Sequence, residues 1–348
     1  MTQKELENLG VVYSHLGDEL SKEIFEDRVM YSISQGDVMF VNRIIRSNKK
    51  LDVVLRRIEM LAANNEIVIF GCGVRGKEVK DVLREVTFKC FVDNNPTESL
   101  MSGIPVYKYS SFAETYVGEY IVISSVRYFQ EMFNQLVKDG FPKEKIINLG
   151  EVLYEIKQDQ YFDLDFLKRD KEEIFVDLGC YNGETSLNFV KWCQGVKNIR
   201  VIAFEPDSEN LLKCKSNFER NHIDYRLINK GAWKERTTLF FNKRDSEDSH
   251  ISEVGETVIE VTSLDAELLN EEISFIKMDI EGAEKQALMG SEQIIRQKHP
   301  KLAISVYHRF DDIFVIPEMI LNFNPDYKLY LRHYCINPAE TILYAVPV

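Results

Sequence analysis

No stretch of about 18 consecutive apolar residues occurs, so no segment reads as a membrane-spanning helix. The first ten residues, MTQKELENLG, lack the apolar core of a secretory signal, and a cytoplasmic setting is expected. There is no C-x-x-C pair. Cys72, Cys90, Cys180, Cys193, Cys214 and Cys335 are scattered, with no histidine at zinc-ligand spacing. That excludes a disulfide scaffold and a zinc finger, and it predicts buried, reduced thiols. Repeats of solenoid length and low-complexity tracts are missing too. So is an excess of positive charge: 43 basic against 56 acidic side chains leave a net −13. The acidity is lopsided. Residues 1–150 carry 19 basic and 21 acidic side chains, whereas residues 151–348 carry 24 and 35. Such a surface repels phosphate backbones, so a nucleic-acid polymer is not an expected partner.

What remains is ordinary globular material. Hydrophobic residues make up 45% and charged residues 28% of 348, enough for about two domains. Residues 1–65 read as a helical lead, with Leu20, Ile24, Phe25 and later Val54, Leu55, Ile58, Leu61 at helical spacing. Residues 66–150 alternate strands (Ile67–Phe70, Cys90–Val92, Ile104–Val106, Tyr120–Ser124, Lys145–Leu149) with helical patterns, which predicts a parallel sheet. Residues 151–173 read as a charged, mostly helical linker. A second alternating array fills 174–348, with strands at Ile174–Asp177, Arg200–Glu205, Tyr225–Lys230, Ser274–Asp279 and Ala303–Tyr307. Two last strands, Tyr327–His333 and Thr341–Val346, have no helix between them and are expected to pair as a terminal β-hairpin. The fold class is therefore α/β, with two Rossmann-like domains behind the lead.

The chemistry concentrates in the second array. In VDLGCYNGETS (176–186), Asp177 closes a strand, and Gly179 and Gly183 allow a tight turn before a helix N-terminus. The next strand ends in AFEPD (203–207). Glu205 there can accept both hydroxyl protons of a ribose, one per carboxylate oxygen. The D-x-G-x-x-x-G form has no third close glycine for a pyrophosphate, which favours S-adenosylmethionine (SAM) over NAD. KMDIEGAE (277–284) ends the fourth strand, where ligands of doubly wound sheets bind.

Together these blocks resemble the FkbM-type SAM-dependent methyltransferases. The resemblance rests on FVDLGCYNGETSLNF (175–189), AFEPD, NKGAW (229–233), VTSLD (261–265), FIKMDIEGAEKQALMG (275–290) and YKLYLRHY (327–334), about half the chain. It implies a class I seven-stranded methyltransferase sheet. It also implies O-methylation of a hydroxyl, often on a sugar or glycan precursor.

Residue roles follow. SAM is expected against Asp177, Gly179, Tyr181, Asn182, Gly183, Glu205 and Pro206, with Gly231 and Ala232 shaping the adenine slot; Trp233 beside them reads equally as core. Catalysis is assigned to Asp279 or His308 as base, with Lys277 paired to Asp279 on one strand face. Glu281 and Arg332 are the substrate candidates. Asp279, Glu281 and His308 form an alternative ligand set for a divalent metal, without a self-contained metal motif. RDSEDSH (244–250) reads as a solvated loop. The acceptor is a small molecule or glycan, nucleotide-linked forms included.

In the first half, GCGVRG (71–76) follows a strand and opens a helix. Gly71, Gly73, Gly76 and Asp93 resemble the turn of small nucleotide-binding Rossmann domains attached to sugar-modifying enzymes, in which FVDNN (91–95) and GIPV (103–106) recur. An NAD(P)-dependent oxidoreductase or sugar epimerase built on this turn is the rival function.

Overall fold

The structure, a computed structural model, describes residues 3–162, 164–242, 250–252 and 257–348. The chain divides into two compact units. One comprises residues 1–37, 161–332 and 340–348; the other comprises residues 38–160 and 333–339. The helical lead of residues 1–65 is thus divided between the two units at residue 37, and the turn joining the last two strands groups with the second unit.

The first unit holds a seven-stranded sheet, labelled here β1 (Glu172–Leu178), β2 (Asn198–Phe204), β3 (Tyr225–Ile228), β4 (Phe275–Met278), β5 (Lys301–Ser305), β6 (Tyr327–His333) and β7 (Thr341–Pro347). Their spatial order is β6-β7-β5-β4-β1-β2-β3. The pairs from β5 to β3 are parallel, and β7 runs antiparallel to β5. Central strands buried on both faces should be continuously apolar. Accordingly, Phe175, Val176, Leu178, Phe275, Ile276, Met278, Leu302, Ala303 and Ile304 are all sealed from solvent.

Helices Gln3–His15 and Glu19–Ile33 complete this unit rather than preceding it. Val12, Leu16, Ile24 and Phe25 enter the same apolar core as β1, β2, β4 and β6. Asp18 caps the second helix by accepting from the Ser21 N–H. Arg332, read from sequence either as a substrate contact or as a balance for the domain's carboxylates, grips that cap, with Nη2 2.6 Å from Asp18 Oδ2. The carboxylate it balances lies 314 positions away in sequence.

A small four-stranded sheet was not anticipated. It orders Gly231–Ala232, Thr257–Thr262, Thr237–Asn242 and His250–Ser252. Residues 244–249 of the RDSEDSH stretch lie outside the described residues.

In the second unit, strands Leu100–Met101, Ile104–Lys108, Phe88–Asp93, Ile67–Phe70, Tyr120–Ile123 and Ile146–Asn148 lie in that spatial order. All are parallel except the antiparallel pair of the first two. Among the described residues, no helix is long and apolar enough to cross a membrane.

Candidate active site

The turn after β1 needs its glycines. Gly179 sits at φ +76° and Gly183 at φ +82°, where a side chain is strained. Space forbids one as well. A Cβ on Gly179 would stand 2.2 Å from the Asp279 carbonyl oxygen, and one on Gly183 would stand 2.6 Å from the Phe218 ring. Tyr181 takes φ +50° and is exposed. Asn182 is held by its own backbone: its carbonyl accepts from Asn217 Nδ2 at 2.8 Å. The helix Glu184–Trp192 then begins with no side-chain cap.

Glu205 follows β2 and closes over this turn. Its Oε2 accepts from the Tyr181 N–H at 3.0 Å, and its Oε1 accepts from the Asp207 N–H at 2.9 Å. A carboxylate offers about four lone-pair positions. Two are taken, which leaves one on each oxygen for a pair of vicinal hydroxyl donors. The residues present therefore fit a ribose. Burial pushes the Glu205 carboxyl up to about 7, against the two backbone N–H groups. Pro206 and Glu205 are fixed from behind by Asn229, which donates to both carbonyls. Gly231 and Ala232 pair with Val261 and Thr262, and Gly231 lies beside the Pro206 ring. Trp233 is half-buried and its N–H donates to the Thr262 carbonyl.

The Glu205 shift has a consequence for stability. Below pH ~4.5 the group is protonated whether the chain is folded or not. Between pH ~4.5 and ~7 the unfolded chain ionises it first, so folding loses free energy as pH rises, up to about 3 kcal/mol. Relative to wild type, Glu205→Gln should therefore gain stability steadily from pH 5 to 7 and level off above. Urea unfolding of both proteins across that range checks it; a difference that stays flat with pH contradicts it.

Asp177 and Lys277 are register partners on neighbouring strands and pair internally. Lys277 Nζ lies 3.2 Å from Asp177 Oδ1, and Ser186 donates to Asp177 Oδ2 at 2.7 Å. Nζ also donates to the Gly179 carbonyl at 2.8 Å and the Leu178 carbonyl at 3.2 Å. Both side chains are essentially sealed. Burial opposes the charge on Lys277, but Asp177 and Asp279 hold its pKa above the ordinary value. Lys277 is thus a strut beneath the turn and not a base, and Asp177 shapes the turn without presenting an oxygen to a ligand. Lys277→Met strands a buried carboxylate and should cost about 3–5 kcal/mol in chemical denaturation; a loss below 1 kcal/mol would refute the strut.

Asp279 follows β4 and faces the turn from the other side. Tyr161 donates to its Oδ2 at 3.0 Å and Tyr307 to its Oδ1 at 3.2 Å. Burial alone would raise Asp279; the charges of Lys277 and His308 outweigh it and hold the carboxyl below its usual value. The two tyrosines were missed as site residues. Tyr307 ends a predicted strand and Tyr161 lies in the linker, so neither carries a motif. Tyr161 is a bulky residue at φ +79°, a strained conformation of the kind that accumulates at functional sites.

His308, after β5, is largely buried, and both its ring nitrogens face acids. Its Nδ1 lies 3.0 Å from Glu284 Oε1; its Nε2 lies 3.4 Å from Glu281 Oε2 and 3.7 Å from Asp279 Oδ1. Burial would lower its pKa, but Glu281 and Glu284 carry it up to about 11. Both ring nitrogens face carboxylates, so His308 is not the base. Glu281 stands at φ +56° on the rim, more exposed than the others. Glu284 follows Asp279 and Glu281 in the same motif and had no assigned role, yet it is sealed and joins this centre.

The turn in the second unit is built alike. The Cys72 N–H donates to Asp93 Oδ2 at 3.0 Å. A Cβ on Gly76 would stand 2.1 Å from the Gly71 carbonyl oxygen, and one on Gly71 would stand 2.6 Å from Ser124 Oγ. Gly73 opens the helix Val74–Val82 without a side-chain cap.

The strand order, the antiparallel β7 and a ligand turn at the parallel strand ends define a class I methyltransferase fold. Residues 177–333 match the methyltransferase FkbM domain family. The first unit carries a methyltransferase FkbM domain, and the protein is a methyltransferase enzyme; the oxidoreductase alternative is set aside as its main chemistry. The FkbM methyltransferase from Methylobacillus flagellatus KT is 21% identical, covering 85% of this chain and 99% of that one, with a TM-score of 0.51. That likeness concerns the fold. Weaker matches include Aeropyrum pernix fibrillarin with bound S-adenosyl-L-methionine, at 9% identity over 55% of this chain and 74% of that one, TM-score 0.35. Another is a precorrin-6y C5,15-methyltransferase from Geobacter metallireducens GS-15, at 10% identity over 57% and 89%, TM-score 0.35. No curated protein matches the chain.

Proposed function

We propose that this protein uses SAM to methylate a hydroxyl oxygen of a sugar, a glycan precursor or a related small metabolite. The observation that carries the reading is adjacency. Gly179 in the turn is packed against the Asp279 backbone, so the donor's turn and the acidic centre adjoin.

The turn of Gly179 to Gly183 would take the methionine part, Glu205 the ribose hydroxyls, and Gly231 and Ala232 the adenine edge. When bound, SAM supplies an electrophilic methyl group on a sulfonium. The protein's work is to align, desolvate and remove a proton. The acceptor oxygen gains the methyl carbon as the carbon–sulfur bond breaks, and its proton passes to Asp279. An oxygen that is gaining a methyl group becomes strongly acidic, so a low-pKa carboxylate suffices if it is well placed. Tyr161 and Tyr307 fix that carboxylate from both sides.

Unit two supports a nucleotide-binding reading: its glycine turn, with Asp93 at the next strand end, would suit a nucleotide-linked acceptor. None of the six cysteines is in a disulfide, in keeping with the cytoplasmic setting of this reading. Incubating the protein with methyl-labelled SAM and panels of sugars, sugar nucleotides and glycan fragments tests the reading. Mass spectrometry should show one added methyl on an oxygen. Methylation confined to nitrogen or carbon acceptors would overturn it.

A further inference from the structure

The acidic centre holds more carboxylates than proton transfer requires. Asp279, Glu281 and Glu284 surround His308, and Asp312 lies close enough to Glu284 to feel its charge. The nearby lysines are committed elsewhere: Lys277 to Asp177 and the turn carbonyls, Lys285 to Asp311 and Asp312. Asp279, Glu284 and His308 each bring one ligand atom within 4.8 Å of the others.

The distances resemble those of ligands sharing an ion. His308 Nε2 stands 3.7 Å from Asp279 Oδ1, longer than a well-formed hydrogen bond, and His308 Nδ1 stands 3.0 Å from Glu284 Oε1. Ligand atoms about 2.1 Å from an octahedral cation lie about 3.0 Å apart when adjacent and about 4.2 Å apart when opposite. Glu284 adds an independent sign. It is 1% exposed; its Oε1 accepts from the Ile280 N–H and meets His308 Nδ1, while its Oε2 has no hydrogen-bond partner. A sealed carboxylate oxygen without a donor is costly unless a cation meets it. The three residues sit at the end of β4, the start of helix Glu284–Met289 and the end of β5, which fixes them relative to one another.

We infer that Asp279, Glu284 and His308 bind a divalent cation of the magnesium or manganese class, which in turn holds two neighbouring oxygens of the acceptor. Two carboxylates and one imidazole suit that class once the ion displaces the proton that Glu281 and Glu284 otherwise hold on His308. Three protein ligands leave open positions on an octahedral ion, and a vicinal diol fills two of them. The inference rests on the methyl-transfer reading for the diol, but not for the cation. It also revises the ligand set expected from sequence, with Glu284 in place of Glu281.

Manganese titration of the full chain, followed by electron paramagnetic resonance, tests it, with SAM affinity measured by calorimetry on the same samples. About one Mn²⁺ should bind per chain and be displaced by excess Mg²⁺. Glu284→Gln and His308→Ala should each weaken Mn²⁺ at least tenfold while changing SAM affinity by less than threefold. Wild-type protein that binds SAM but takes up no stoichiometric Mn²⁺ overturns the site, as does Mn²⁺ binding that survives both substitutions. Mn²⁺ binding without SAM binding would sustain the site and remove the methyl-transfer reading instead.

Discussion

Asp279→Asn is expected to lower methyl transfer by 10²–10⁴-fold while SAM binds within about threefold of wild type. The amide keeps the shape of the carboxylate but cannot take a proton. It also presents a donor to one of two tyrosine hydroxyls that now donate to it. The separation of effects is the informative part. Asp279 lies on the acceptor side of the turn, and the cofactor's expected contacts come from Gly179–Gly183 and Glu205. Single-turnover rates with labelled SAM, set beside calorimetric affinity, measure both. Unchanged turnover would remove Asp279 from the chemistry. A parallel collapse of affinity would place it in the donor site.

The second large effect is at Gly179. Gly179→Ala should weaken SAM binding by at least 100-fold, with the rest of the fold retained at a cost of about 2–4 kcal/mol. Two independent reasons converge. The residue holds a left-handed backbone, and a new methyl would land 2.2 Å from the Asp279 carbonyl, which belongs to the main chain and cannot swing aside. Something must shift, and the contact joins the donor turn to the acid motif, so both halves of the site move. Gly73→Ala in the second unit is the matched control. Nothing lies within 4 Å of a Cβ there, so its effect on SAM binding should be negligible.

Much of this fold was legible in the residues. The central strands of the large sheet announce themselves as apolar runs, because strands buried on both faces cannot be otherwise, whereas β3 and β6 carry charged residues within them. The final pair without a helix foretold the hairpin end of the sheet. The small sheet was missed because TTLFFN and TVIEVT neither alternate strictly nor form a long apolar run, and they carry no motif. Its short partner Gly231–Ala232 has no pattern at all.

The site was legible only in part. Glu205 and the two glycines stand out in the sequence because backbone geometry and ribose chemistry demand those residue types at that spacing. Lys277 was misread because its partner is set by strand register: Asp177 on β1, not Asp279 two places along. The carboxylate that Arg332 balances was not foreseeable, because Asp18 is brought to it by a helix far away in sequence. Tyr161 and Glu284 gain meaning only from what surrounds them.

The central claim is that the turn of the first unit is a SAM site. Calorimetric titration of the full chain with SAM at pH 8, where Glu205 is ionised, tests it most directly. The account predicts one site per chain, competition by S-adenosylhomocysteine, weakening below pH 7 and loss in Gly179→Ala. A folded protein that takes up neither SAM nor S-adenosylhomocysteine would contradict it.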